Sequence, residues 1–196
     1  MTQTSPRPTL QYADGGWIEA IGGHPALDLV NTVSWRLDQS RTVDRLPNAA
    51  ELVRWAEFVG LGDGGRATDA AAAEARILRE RLYRVVRPLA IGAEPAAKDV
   101  DGIRGSLVGA LGRAKVESLM PLELSAADLV DRLALEAWRL LEREDVGRLR
   151  ECQASYCGWL FLDRTKNASR LWCSSADCGN RARARRHYAR RTTEGA

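Results

Sequence analysis

Residues 152–178 read CQASYCGWLFLDRTKNASRLWCSSADC and hold all four cysteines of the 196-residue chain. The pattern is C-x4-C, fifteen residues, then C-x4-C. Two close pairs of thiolates on two turns supply the corners that a tetrahedral zinc ion takes, and four cysteines leave no open position for catalysis. The insert is long enough for a β-hairpin that swings the second pair back to the first. Trp159-Leu160-Phe161-Leu162 is strand-like, Lys166-Asn167-Ala168 is turn-like, and Leu171-Trp172 resumes strand character. After Cys178 there is no proline, and Ala182, Ala184 and Ala189 favour helix. A thiolate at a helix N-terminus is also favoured by the helix dipole. The expectation is a treble-clef-like module, a β-hairpin plus a C-terminal helix, built on one structural Zn2+ held by Cys152, Cys157, Cys173 and Cys178. In so small a module the metal contributes about 10–16 kcal/mol, effectively its folding energy.

Other uses of four cysteines fit less well. Two disulfides need an oxidising compartment, and a redox pair is usually C-x-x-C. Ligation of an iron–sulfur cluster by four cysteines stays chemically open. The opening residues, Met1 to Trp17, lack the basic and then apolar run of a signal peptide. No stretch reaches the ~20 apolar residues that span a bilayer. The expected location is the cytoplasm, with no membrane partner.

Charge divides the chain. Residues 148–191 carry eleven Lys/Arg against Glu151, Asp163 and Asp177, a net of +8, whereas residues 1–147 are mildly acidic at −4. Four thiolates and one Zn2+ lower the first figure to about +6, so the asymmetry survives. A basic tail on an acidic body points to a polyanion as partner of the tail.

Upstream of the tail the periodicity is helical. Residues 1–19 are read as a flexible N-terminus, being polar with two prolines and the Gly15-Gly16 pair. Leu27, Val30 and Val33 predict a helix from Ala26 to Arg36. Asn48 and Glu51 form a capping box before a helix with Leu52, Trp55 and Val59 on one face. Thr68 caps a long helix with Leu78, Leu82, Val85 and Leu89 on its apolar side, which Pro88 bends or ends. A short helix is expected between Ala96 and Leu111 and an extended segment from Ala114 to Leu124. Ser125 and Asp128 open a last helix with Leu129, Leu133, Trp138 and Leu141 in phase. The fold class is mainly α: a helical domain over 20–147, then the zinc module over 148–192. On this division Cys173→Ser unfolds the tail and leaves the body folded.

Several of these residues carry a resemblance. Cys173-Ser174-Ser175-Ala176-Asp177-Cys178-Gly179-Asn180-Arg181 and the Arg-rich segment to Arg191 resemble the CGNR zinc-finger family, as do Phe161-Leu162-Asp163, Lys166-Asn167 and Arg170-Leu171-Trp172-Cys173. His24-Pro25-Ala26-Leu27-Asp28-Leu29-Val30-Asn31-Thr32 is similar to the opening motif of the ABATE domain, which commonly precedes that finger. The resemblance covers roughly residues 20–191. It implies a bacterial, stress-related transcription regulator.

On a helix from 178 to 191, at ~100° per residue, Arg183, Arg186 and Arg190 share a stripe with His187 on its border. Arg181 and Arg185 lie on another face beside Tyr188. The first set is the candidate nucleic-acid contact, with Arg164, Lys166 and Arg170 of the hairpin as a clamp on the phosphate backbone. Arg181 is expected to pack on the zinc module itself. Trp159, Trp172 and Tyr156 either stack on unpaired bases or fill the module's small core. His24, Asp28 and Asn31 stand at i, i+4 and i+7, and two readings stay open: an effector pocket, or a buried hydrogen-bond network.

The sequence has two histidines, no Gly-rich phosphate loop and no G-x-S-x-G elbow, so an enzyme is not expected. The leading reading is a zinc-dependent DNA-binding regulator, working as a homodimer, whose body takes a small-molecule signal. The competing readings are an RNA- or ribosome-associated zinc protein and a protein–protein adaptor with structural zinc.

Overall fold

The computed structural model describes residues 8–12, 14–62 and 67–193. It opens with an antiparallel hairpin, β1 (Thr9–Gln11) and β2 (Trp17–Glu19), followed by α1 (Pro25–Val30). A second small hairpin pairs β3 (Val33–Ser34) with β4 (Val43–Asp44). Helices α2 (Ala49–Phe58), α3 (Asp69–Ala90) and α4 (Ala97–Arg113) come next. The hairpin of β5 (Lys115–Leu119) and β6 (Leu122–Ser125) leads into α5 (Leu129–Leu141). The tail holds β7 (Leu149–Glu151), β8 (Leu160–Leu162), a π-helical turn over Ser175–Gly179 and α6 (Asn180–Thr193).

Helix starts follow the predicted caps. Asn48, Thr68 and Asp128 accept the backbone N–H groups of Glu51, Ala71 and Val130. Pro88 falls in the last turn of α3, which ends at Ala90. Leu78, Leu82 and Val85 of α3 are buried, but Leu89 is 41% exposed, because the core stripe turns away before the proline. In α5 Leu129, Asp131, Leu133, Ala134, Leu135, Ala137 and Leu140 are buried, whereas Trp138, expected on the apolar face, is also 41% exposed. The segment 97–113 is one long helix, longer than expected, and 115–125 is extended as expected.

Three expectations are corrected. The helix from Ala26 stops at Val30, because Asn31 turns out of it and spends its side chain on a strand 129 residues away. The α1 residues Ala26, Leu27, Leu29 and Val30 are all fully buried and Asp28 is buried with them, so the helix lies inside the core. Residues 9–12 and 14–19 do not wander over the surface: Leu10 pairs with Ile18, and Ile18, 2% exposed, plugs the hairpin into the core. Residues 1–7 and 13, the rest of that expectation, lie outside the described residues. The strand at 160–162 pairs with β7, not with 171–172. Gly158, at φ +71°, turns the chain back onto the strand before the first cysteine pair, so that pair sits inside the hairpin's connection.

No break in packing falls at 147/148. One apolar core runs from Leu27, Trp55 and Leu82 through Leu133 to Leu149, Leu160, Phe161 and the four cysteines. Strand β8 is buried along its whole length, held by β7 on one side and by Gly22 and Asn31 on the other. That is why its sequence is a continuous apolar run rather than an alternating one. Among the described residues no helix is long and apolar enough to cross a membrane.

Candidate metal centre and basic helix

Cys152 follows β7, and Cys157 ends the tight connection that Ala154 closes by accepting the Cys157 N–H at 2.9 Å. The loop to the second pair is organised by Asp163. One of its carboxylate oxygens accepts from the Thr165 N–H and hydroxyl, the other from the Arg170 N–H. Cys173 comes next, and Cys178 lies in the π-helical turn that runs into α6.

All four Sγ atoms lie within 4.8 Å of one another and are buried. Cys157 and Cys173 are 3.7 Å apart, Cys173 and Cys178 3.6 Å. A tetrahedron of sulfurs at the ~2.3 Å zinc–sulfur distance has edges of about 3.8 Å, so the donor set fits zinc. The electrostatics point the same way. Hydrogen bonds from the Cys157, Cys173 and Cys178 thiols hold Cys152 well below the usual thiol range. The resulting thiolate pushes Cys157 and Cys173 up, and burial adds to the effect. Four thiolates therefore coexist here only around a cation. The cysteines hold one structural zinc with a closed coordination shell.

Around the centre, Arg170 acts as a brace. Its guanidinium donates to the carbonyls of Trp172, Ile21 and Cys173 and lies 4.0 Å from the centre of the Phe161 ring. It is half-buried and directed into the molecule rather than towards a phosphate. Arg164 donates to the Gly23 carbonyl and stands 3.8 Å from Asp145, while Lys166 is exposed.

The arginines of α6 divide by face. Arg181 pairs with Asp177 and stacks over Trp35 at 4.6 Å; Arg185 stacks over Tyr156 at 4.6 Å. Arg183 is exposed but folds back to the Ser175 carbonyl and Asn180. Arg186, His187 and Arg190 are exposed, with the His187 and Tyr188 rings edge to face at 5.9 Å. Tyr156 and Trp159 are buried and Trp172 half-buried, so the first two belong to the core.

His24, Asp28 and Asn31 each serve the fold. His24 Nδ1 accepts from Ala26 at the start of α1, and its Nε2 is 3.8 Å from Glu136. Burial holds its pKa below the usual histidine value. Asp28 accepts from the Gly22 N–H at 2.8 Å, and burial lifts its pKa to about 7. Asn31 exchanges two 2.9 Å hydrogen bonds with the backbone of Leu160. All three side chains hydrogen-bond within the fold, and none of them lines the cavity floored by the cysteines.

Sequence reasoning missed Trp35. Its φ of +57° lies in the left-handed region, which costs a bulky residue about 1–3 kcal/mol. Its indole meets Tyr156 at 4.9 Å and carries Arg41 at 3.4 Å as well as Arg181. Tyr156 and Arg181 lie more than a hundred residues downstream, and periodicity holds no trace of them.

Comparison with known families matches two models. One, the CGNR zinc finger, covers residues 148–191. The other, ABATE, described as a "putative stress-induced transcription regulator", covers residues 23–156. The two overlap across β7 and the first cysteine, where the core is also continuous. No curated protein matches the chain.

Proposed function

The chain belongs to the ABATE family and ends in a CGNR zinc finger, and from that premise we propose that it is a transcription regulator that grips duplex DNA through α6. The observation that carries this reading is the division of arginines on that helix. Arg181 and Arg185 seat it on aromatic rings of the module and body, which turns Arg186, His187 and Arg190 outward with Arg183 beside them. Lys166 adds a cation from the loop, and Arg164 lies on the same connection. Arg170 is left out of the contact set, because its donors are used inside.

Planar guanidinium groups suit both phosphate and guanine, so the first contacts are with the backbone and sequence reading comes from the same stripe. A single module of this size buries about 600–1,000 Å² on DNA, so the regulator acts as a homodimer. The helical body receives the signal.

The test is binding of zinc-quantified protein to random duplex DNA, single-stranded DNA and structured RNA across a salt series. The expected result is one zinc per chain and a preference for duplex that falls steeply with salt, as counterions are released. A preference for RNA reassigns the same helix to an RNA-associated role. Zinc without affinity for any of the three makes the module an adaptor's staple.

A further inference from the structure

Between the turn of the β1–β2 hairpin, β3 and the two cysteine turns lies a cavity of about 220 Å³. Trp17, Trp35, Tyr156 and Trp159 line it, and three of the zinc-binding cysteines form its floor. A zinc ion sits among the four sulfurs, which all lie within 4.8 Å of one another, so it takes only the floor of the cavity.

Three features give the cavity the character of a site. Trp35, one of its walls, is held in a left-handed backbone conformation, an outlier of the kind that collects at ligand clamps. The charges in the walls are already matched: Arg45 donates to Asp14 and Ser34, and Arg181 pairs with Asp177. The Tyr156 hydroxyl is buried without a well-formed hydrogen bond, with the Arg181 guanidinium standing next to it. A buried hydroxyl without a partner is costly, and a ligand's polar group removes the cost.

The chemistry of the occupant follows. Trp35 and Tyr156 already carry guanidiniums, and the walls that remain, Trp17 and Trp159, favour a flat π-surface. The zinc–thiolate floor repels an anion, and Asp177, the carboxylate in the walls, is already paired with Arg181, so no free carboxylate receives a cation. A cavity of ~150 Å³ holds benzene, so this one has room for one or two fused rings. We propose that the cavity is an effector site for a small, flat, uncharged aromatic molecule carrying one hydrogen-bonding group. That group meets Tyr156, and the ring system lies among the tryptophans. The occupant touches Trp35 of the helical body and Arg181 of the first turn of α6 together, where a signal from the body has to pass to reach the basic helix. The site does not depend on which nucleic acid α6 binds.

Calorimetric titration of the zinc-loaded full chain with 2-naphthol, 2-naphthoate and 2-naphthylmethylammonium tests this. Saturable one-to-one binding of 2-naphthol is expected, with both charged analogues at least about tenfold weaker. Tyr156→Phe keeps the ring and loses the hydroxyl, so 2-naphthol should bind it about tenfold more weakly, the worth of one hydrogen bond. Trp17→Ala, at the solvent-exposed rim, should also weaken binding with zinc content unchanged. No saturable heat with 2-naphthol, tighter binding of either charged analogue, or unchanged affinity in both variants would overturn the proposal.

Discussion

Residues 149–173 and the helix at 180–193 belong to one four-cysteine module, yet they meet the body in opposite ways. The first stretch is knitted in. Leu160 exchanges two hydrogen bonds with Asn31, Leu162 donates to Gly22, and the Trp159 indole donates to Val33 at 2.8 Å. The Cys157 carbonyl accepts from Arg36. The helix α6 is exposed beyond its first turn and is seated mainly by arginines on aromatic rings. A buried half is constrained by the core, so its sequence answers to packing. An exposed half held at its root is free to answer to a partner. The zinc sits where the two halves join.

The largest expected effect breaks the first half. Cys173→Ser removes one ligand and leaves three buried thiols without their cation, so zinc is lost together with about 10–16 kcal/mol of binding energy. Sequence alone divides the chain at 147/148 and expects the body to survive. Leu160, Phe161 and Leu162 share the core with Leu27 and Leu133, so the body should lose stability as well. Thermal unfolding followed by helical circular dichroism, with and without chelator, checks this. An unchanged body transition after zinc removal would show two independent units.

Asn31→Ala probes the same seam without touching a ligand. It strips the Leu160 N–H and C=O of their partners in a buried setting, at about 1–3 kcal/mol for each group left unpaired. Chemical denaturation should show a lower midpoint, and zinc should be lost to a competing chelator faster than from the parent. A variant that loses stability but keeps its zinc as firmly would place the seam outside the metal's cooperative unit.

How far the sequence reveals this seam depends on the range of the interaction. The cysteine set is legible because zinc's chemistry dictates residue type and spacing. The caps at Asn48, Thr68 and Asp128 are legible because they act within three residues. The pairing of β8 is not, since an all-apolar run such as Leu160-Phe161-Leu162 names no partner. The two-residue turn to β3, Asn31-Thr32, is equally hidden, because what ends α1 is a strand 129 residues further on. Arg170 illustrates the same limit: its residue type suits phosphate, and only the fold shows three carbonyls around it.

The pH dependence is smaller. Asp28 lies beside the seam, with a pKa raised from about 3.8 unfolded to about 7 folded. The folded state then holds more protons than the unfolded chain between those values. Stability from this group is present at low pH and is lost as pH rises towards 7 and above, by about 2 kcal/mol from pH 5 to pH 7. His24, whose pKa is lowered by burial, works in the opposite sense and costs stability as pH falls below its unfolded value near 6.5. The comparison of Asp28→Asn with the parent isolates the aspartate. Denaturant midpoints at pH 5, 6, 7 and 8 should fall less steeply in the variant, and parallel slopes would remove Asp28 from the account.

The exposed half should show the smallest effect on stability and a clear effect on binding. Arg186→Ala with Arg190→Ala changes side chains that the helix turns outward, so unfolding should move by no more than about 0.5 kcal/mol. For every phosphate that the variant no longer neutralises, the slope of log affinity against log salt should drop by about one. Arg181→Ala with Arg185→Ala removes the stacks on Trp35 and Tyr156 instead, and should cost about 0.5–1 kcal/mol of stability per stack. Its effect on the salt slope should be slight, because those guanidiniums face the module. Affinity and slope measured for both double variants separate the two faces. If the Arg181/Arg185 pair loses more slope than the Arg186/Arg190 pair, nucleic acid approaches the side of α6 that rests on the rings, and the helix must leave its seat to bind.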